Sequence, residues 1–273
     1  MANPRPGRQR PYDETEDAEL ERLWRDPQIL FSMTFDRGDG WEAEAYPFHL
    51  DAVRETGTLA FHPKVTFFVG ENGSGKSTLL EALALALGFR AEGGSLQARS
   101  ASYPAHSHLH RFVKLDRTRR IVKEGFFLRA ESFFNFASIM DRAAAEAGPR
   151  PNPLNAYGGV SLHEQSHGES FMALMEHRFR PKGIYLLDEP EAALSPTRQL
   201  RFLRRLHELT ARGCQFVIAT HAPILLAYPQ ARIYEFAEKG PREVGYEELE
   251  HVQVTRRFLA DPQRFLDTIL PDE

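Results

Sequence analysis

The stretch Gly70 to Thr78, G-E-N-G-S-G-K-S-T, constrains this chain more than any other. It follows the apolar run Val65-Thr66-Phe67-Phe68-Val69 and precedes the helix-forming run Leu79 to Leu87. A β-branched and aromatic strand, then G-x-x-x-x-G-K-[ST], then a helix is the phosphate-loop pattern. Gly70, Gly73 and Gly75 permit positive φ and let backbone N–H groups approach phosphate oxygens where a Cβ would obstruct them. Glu71, Asn72 and Ser74 complete the loop, which opens onto a helix N-terminus whose unpaired N–H groups favour an anion. Lys76 reads as a mobile charge for the β- and γ-phosphates and Ser77 as a hydroxyl ligand of octahedral Mg²⁺, with Thr78 close by.

With 273 residues the chain can bury a real core as one α/β domain or as a core with a small lobe. Its 34 basic and 38 acidic side chains leave a net charge of -4, so no global field draws it to nucleic acid and any such contact must be local. The single cysteine, Cys214, excludes an internal disulfide framework, suits a reducing cytosol and reads as a small buried thiol. The best apolar stretch, Ala82 to Phe89, is far short of the roughly 18 to 20 residues that span a bilayer. A soluble, cytoplasmic protein without membrane insertion is expected.

Along the chain, residues 1–26 read as a poorly ordered acidic arm. Short strand-like runs follow at Ile29 to Phe35, Glu42 to Phe48 and Thr58 to Phe61, with Gly38-Asp39-Gly40 as a hairpin turn, and predict a small antiparallel sheet. The basic stretch from Arg111 to Lys123 reads first as a solvated face, with DNA or a protein partner as the alternative. His106, His108 and His110 within this region alternate and read as an exposed polar strand or loop, with a metal site as the alternative. Gly125 to Ala130 reads as a buried strand ending at Glu131, followed by a helix to Ala147 and a loop over Gly148 to Gly159.

The strand Gly183 to Leu187 is continuously apolar, as in a parallel sheet covered on both faces, and ends in Asp188-Glu189. Ser195-Pro196 caps a helix closed by Gly213, with Leu200, Leu203, Leu206 and Leu209 as its apolar stripe. Gln215 to Thr220 is a further buried strand delivering His221, Ala231 to Phe236 is a late strand, and Tyr246 to Leu259 and Pro262 to Leu270 look helical. Strands alternating with helices predict a mainly parallel sheet that binds ligands at its strand C-terminal ends. There, Asp188 suits a Mg²⁺ ligand, Glu189 a general base for the water attacking the γ-phosphate, and His221 a γ-phosphate contact.

The order G-E-N-G-S-G-K-S-T, S-H-G-E-S, Y-L-L-D-E-P, A-L-S-P, T-H-A-P resembles the ATP-binding-cassette (ABC) ATPases. Ser166 lies 22 residues before Asp188 and His221 lies 33 after it. Within that class, D-E-P-E-A-A-L-S-P and A-T-H-A-P-I-L-L-A-Y resemble the SMC-like, non-transporter members. G-F-F-L-R-A-E-S-F-F-N and Y-G-G-V-S-L-H-E-Q-S-H-G-E-S are similar to a family of stand-alone bacterial ATPases. The resemblance implies a P-loop NTPase fold of the ABC type in a single domain over 27–270. Its parts would be an N-terminal antiparallel β part at about 29–69, a helical signature-bearing lobe at about 132–180 and a C-terminal core at about 183–270.

The resemblance further implies ATP and Mg²⁺ as bound groups and an ATP-dependent, head-to-tail homodimer. In it, nucleotide held by Lys76, Ser77 and Asp188 of one chain is closed over by Ser166, His167, Gly168 and Glu169 of another, with Ser195 near the interface. Here His167 and Glu169 replace the usual Gly and Gln of the signature, and Glu131 stands where the family has a glutamine beside the metal. Tyr46, Phe48 and Phe61 are the candidates for an adenine platform. The function expected is an ATP-hydrolysing switch in genome maintenance, stress or defence. The alternatives are the motor subunit of a transporter and an ATP-controlled nucleic-acid clamp.

Overall fold

The computed structural model describes residues 27–96, 107–146, 152, 154, 155, 159, 161 and 166–270. The expected arm at 1–26 and most of the loop at 148–159 lie outside these residues. In chain order the elements are β1 (Leu30–Phe35), α1 (Asp51–Arg54), β2 (Leu59–Ala60), β3 (Val65–Gly70), α2 (Lys76–Ala86), β4 (Gly94–Ser95), β5 (Val113–Arg117), β6 (Gly125–Arg129), α3 (Ala130–Ala145) and α4 (His167–His177). They continue with β7 (Ile184–Asp188), α5 (Pro196–Ala211), β8 (Gln215–Ala219), α6 (Pro223–Leu226), β9 (Arg232–Ala237), β10 (Gly240–Glu243), α7 (Glu250–Ala260) and α8 (Pro262–Ile269).

The main sheet has the order β10-β9-β3-β8-β7-β6-β4. Its five inner strands run parallel and its two edge strands antiparallel. The apolar strands are continuous because both faces are covered. Phe67, Val69, Tyr185, Leu187, Phe216 and Ile218 point into the core beneath α4, α5 and α6. Phe68, Leu186, Val217 and Ala219 point into the other, against Leu79, Leu80 and Leu83 of α2. Phe179 stacks on Tyr185 with ring centroids 4.1 Å apart. The buried Tyr185 hydroxyl donates to the Arg180 carbonyl at 2.7 Å, and burial pushes its pKa up. Cys214 is a buried thiol whose pKa is likewise raised by desolvation.

A second, three-stranded antiparallel sheet has the order β2-β1-β5. Two side chains of the main sheet fasten it: Tyr234 of β9, whose hydroxyl accepts from Ala60 N–H at 3.1 Å and donates to Ala60 O at 3.0 Å, and Gln215. Gln215, 1% exposed at the start of β8, accepts from the N–H groups of Ile29 and Leu30 and donates to the carbonyls of Leu30 and His62, at 2.8 to 3.1 Å. Buried backbone groups need partners, and here a side-chain amide supplies both a donor and an acceptor.

Several expectations need correction. Gly38-Asp39-Gly40 is not a hairpin turn, since β1 pairs with β2 and β5, and 42–48 forms turns. Aromatic packing decides this, because Trp41 seats against Phe35, Phe48 and Phe112 with centroids 4.8 to 5.7 Å apart. Of the strand and loop readings of the histidines the loop holds, since His108 and His110 lie at a 3-10 turn over Leu109–Phe112 entered by burying Leu109; His106 lies outside the described residues. On α5 the inward face is Gln199, Phe202, Leu206 and Leu209, while Leu200 is 59% exposed. Phe202 displaces the leucine register because the ring meets Phe171 of α4. The basic stretch lies partly on β5, at the edge of the small sheet, where Lys114 pairs with Asp36 at 2.7 Å.

Candidate functional site

Parallel pairing brings the C-terminal ends of β3, β8 and β7 to one edge of the sheet. Phe68 is in register with Ala219, and Ala219 with Asp188. The ladder continues past the strands, with Thr220 N–H donating to Phe68 O at 3.0 Å and Glu189 N–H to Ala219 O at 2.9 Å. Residues more than a hundred apart in sequence therefore share one cleft.

The loop after β3 turns through left-handed backbone at Gly73 (φ 83°) and Gly75 (φ 91°) before entering α2. At Gly75 a Cβ would lie 2.5 Å from the Cβ of Ala52, so the loop is pressed against α1. At Gly73 nothing lies within 4 Å, and the backbone there faces the cleft. Lys76 is 4% exposed, and its ammonium donates to the carbonyls of Gly70 (2.6 Å) and Glu71 (2.8 Å). Burial lowers its pKa, against which Glu189, Asp188 and Glu191 act as nearby negative charges.

Ser77 Oγ donates to Asp188 Oδ1 at 2.9 Å, which joins the start of α2 to the end of β7. Asp188 is 8% exposed, and the Arg129 guanidinium stands 3.9 Å from its other oxygen. Arg129 also pairs with the buried Glu81 at 2.7 Å. Hydroxyl and carboxylate are hard oxygen ligands suited to Mg²⁺, and their direct contact shows that the two can reach one small ion. Ser74 Oγ is buried within the loop without a hydrogen-bond partner. The residues present therefore fit a phosphate–Mg²⁺ group.

Glu189 takes left-handed backbone (φ 50°, ψ 52°), which for a residue with a Cβ costs about 1 to 2 kcal/mol. Its carboxylate is half exposed and lies 3.7 Å from His221 Nε2. Burial first, and then the Lys76 charge, lower the His221 pKa, so the imidazole is neutral at neutral pH. Glu71, Asn72, Glu189, Glu191 and His221 line a cleft of about 560 Å³. A second cleft of about 230 Å³ shares Asn72 and Glu189 with it and is lined by Tyr46, Leu50 and the loop from Gly73 to Thr78.

Of the aromatic candidates, only Tyr46 reaches this cleft. It is 60% exposed, with its hydroxyl 3.5 Å from Thr78 Oγ1. Phe48 and Phe61 are core residues, 7% and 3% exposed, because a Phe with no polar tip is worth more in the core than at a wet cleft.

The segment Ser166, Gly168, Glu169 does not line either cleft. It forms the start of α4, where the Glu169 carboxylate accepts from Ser166 N–H at 3.0 Å and Ser166 Oγ at 2.6 Å and pairs with Arg198 at 3.1 Å. The Ser166 hydroxyl is the main cause of the lowered Glu169 pKa. At Gly168 a Cβ would lie 2.7 Å from the carbonyl of Ala193, so the glycine admits a close approach within the chain itself. Glu131 falls in the first turn of α3, and its side chain is outside the described part of the molecule.

Two residues escape a reading of motifs. Arg129 looks like the polar end of a strand, and Glu191 like part of an acidic turn. Their one sequence signal is a charged residue at the end of a buried apolar strand or three residues past it, at F-F-L-R and L-L-D-E-P-E.

The site's two halves each match a family model. Residues 48–125 match an AAA domain, and residues 155–227 match a model described as "AAA domain, putative AbiEii toxin, Type IV TA system". The chain is 28% identical over 203 residues to the "Probable siderophore transport system ATP-binding protein YusV" of Bacillus subtilis, covering 66% of this chain and 72% of that protein. Among solved structures, the SMC head domain from Thermotoga maritima is 17% identical with a TM-score of 0.41, covering 80% of this chain and 98% of that one. An ATP-binding cassette of an ABC transporter is 20% identical with a TM-score of 0.45, covering 86% and 96%. The phosphate loop and the strand-end carboxylates thus each lie inside a segment similar to an AAA domain.

Proposed function

We propose that the protein hydrolyses ATP with Mg²⁺ and uses the nucleotide to close a head-to-tail homodimer, as a switch of the SMC-like, non-transporter kind. The observation that supports this most is the Ser77–Asp188 contact at 2.9 Å with Glu189 next in the chain and facing His221 at 3.7 Å. A metal site, a base and a γ-phosphate contact thus converge on one strand edge.

In this reading the loop N–H groups from Gly70 to Gly75 and the start of α2 hold the phosphates, and Lys76 exchanges its two carbonyl contacts for phosphate oxygens. Ser77 and Asp188 would hold Mg²⁺, which when bound would supply positive charge to the phosphates. Glu131, which stands where the family has a glutamine, would be a further acid toward the metal. Glu189 orients the attacking water and takes its proton, and His221, neutral, hydrogen-bonds the transferred group. Tyr46 offers its exposed ring to the base. Ser166, Gly168 and Glu169 of a second copy close the site. A cytoplasmic role in defence or stress is the setting we favour, and the toxin–antitoxin description of the model matching 155–227 supports it.

A transporter motor subunit is the second reading, favoured by the transport system to which the Bacillus subtilis relative is assigned. Among the described residues no helix is long and apolar enough to cross a membrane. A nucleic-acid clamp would draw on the basic residues around β5.

The mass of Glu189→Gln in solution, with and without Mg²⁺ and ATP, tests the proposal. ATP should double the mass, and Ser166→Arg should abolish the doubling while phosphate release is already lost. A variant that stays monomeric with ATP sinks the sandwich, and one that hydrolyses ATP at the wild-type rate sinks Glu189 as the base.

A further inference from the structure

Glu191 is the half-buried acid of the cleft to which the hydrolysis reading gives no task. The chain reaches it by an unusual turn: Glu189 is left-handed, Pro190 opens a 3-10 turn, and Ala192 N–H and Leu194 N–H close it on the carbonyls of Glu189 (3.1 Å) and Glu191 (2.9 Å). That turn carries the Glu191 carboxylate back over the sheet edge, where its Oε1 accepts the backbone N–H of His221 at 2.6 Å. The ladder no longer serves this N–H, because β8 ends at Ala219 and the last ladder-type bond past it is Thr220 N–H to Phe68 O. A carboxylate accepting a backbone N–H is among the stronger hydrogen bonds available to a protein.

The end of β8 is thereby stitched to the turn after β7 at two points, Glu189 N–H on Ala219 O and Glu191 Oε1 on His221 N–H. The first aligns the strands; the second fixes where the His221 side chain starts, next to the Thr220 hydroxyl that also hydrogen-bonds Glu191. We propose that Glu191 is a positioning residue that locks the His221 backbone to the turn bearing Glu189, and so holds the imidazole beside the base, 3.7 Å from the Glu189 carboxylate. It acts through His221 and not as a second base, although both carboxylates line the same cleft. Without this acceptor His221 N–H would turn to water and the short segment before α6 would be free to shift.

The kinetic part of this inference rests on the ATP-hydrolysis reading; the lock itself is a property of the folded chain. Two measurements on the full chain separate them. Amide hydrogen exchange of the peptide containing His221, without nucleotide, should speed up about tenfold or more in Glu191→Ala, as for a lost hydrogen bond of this kind. It should stay slow in Glu191→Gln, whose amide carbonyl still accepts.

In steady-state hydrolysis, Glu191→Ala should lose about 10²-fold in kcat with little change in KM, as for a misplaced contact. Glu191→Gln should stay within about fivefold of wild type, since a neutral acceptor keeps roughly half the strength of a charged one. Unchanged exchange in Glu191→Ala overturns the lock. Glu191→Gln as inactive as Glu189→Gln, with His221 still protected, overturns the positioning role and makes Glu191 a base. A wild-type protein without ATPase activity would refute the hydrolysis reading, while the exchange experiment would still decide the lock.

Discussion

The close approach of the phosphate loop to α1 gives the sharpest quantitative expectation. In Gly75→Ala two penalties act together. The residue sits at φ 91°, a left-handed conformation that costs a residue with a Cβ about 1 to 2 kcal/mol. The added Cβ would also stand 2.5 Å from Ala52 Cβ, against an ordinary carbon–carbon contact of about 3.5 to 4.0 Å. Ala52 is 1% exposed on α1 and has little room to retreat, so overpacking should add about 1 to 3 kcal/mol.

The two together give a loss of about 2 to 5 kcal/mol, divided between global stability and the loop's own geometry. A double-mutant cycle with Ala52→Gly isolates the second penalty, because removing the Ala52 Cβ relieves the overlap and leaves φ unchanged. Ala52→Gly alone should cost about 1 kcal/mol in helix propensity. The coupling energy, from urea unfolding of all four proteins and from nucleotide affinity by calorimetry, should be about 1 to 3 kcal/mol in favour of the double mutant. A coupling below about 0.5 kcal/mol, the usual scatter for independent sites, would refute the argument that contact with α1 is what excludes a side chain here.

Gln215→Leu keeps the volume but strands the N–H groups of Ile29 and Leu30 and the carbonyl of His62, so at about 1 to 3 kcal/mol for each orphaned group it should cost at least 3 kcal/mol in denaturant unfolding. A loss under about 1 kcal/mol would mean that apolar packing and the Tyr234–Ala60 hydrogen bonds hold the small sheet without Gln215. Stability should fall on acidification. His62 Nδ1 accepts the N–H groups of Lys64 and Val65, and its pKa is lowered, chiefly by burial and then by Arg232 and Lys64. The unfolded chain therefore takes the proton first: the stabilisation is complete above the ordinary histidine pKa of about 6.5 and is lost as pH falls toward the folded value. His110, His221 and His251 shift in the same direction. His62→Asn, which keeps an acceptor and cannot be protonated, should flatten the fall in melting temperature between about pH 7.5 and 5.5; an unchanged slope would exclude His62 as a contributor. Lys76→Ala should weaken ATP binding at least tenfold, or about 1.4 kcal/mol, in calorimetry, and unchanged affinity would exclude the phosphate-loop assignment.

The sequence determined the elements whose signal is local. A glycine-rich loop between an apolar strand and a helix, strands apolar at every position, and Ser195-Pro196 opening a helix each need only neighbouring residues to be recognised, and each appears as expected. Asp188 and Glu189 were legible as strand-end carboxylates for the same reason.

Tertiary structure decided what depends on contacts distant in sequence. Trp41 cancelled a plausible hairpin by packing on Phe112, and β1 took as its partner β5, which comes after the phosphate loop. Tyr46 was separated from Phe48 and Phe61 by burial alone, which no residue pattern encodes. Gln215 reads as an ordinary polar strand residue until its amide is seen to bridge 185 positions to Leu30. Glu191 reads as one acid among several until a left-handed Glu189 turns it onto His221, 30 residues away. Periodicity and propensity report the preferences of a segment for water or for a backbone conformation. Which buried N–H lacks a partner, and which distant side chain supplies one, is fixed only when the strands have been laid side by side.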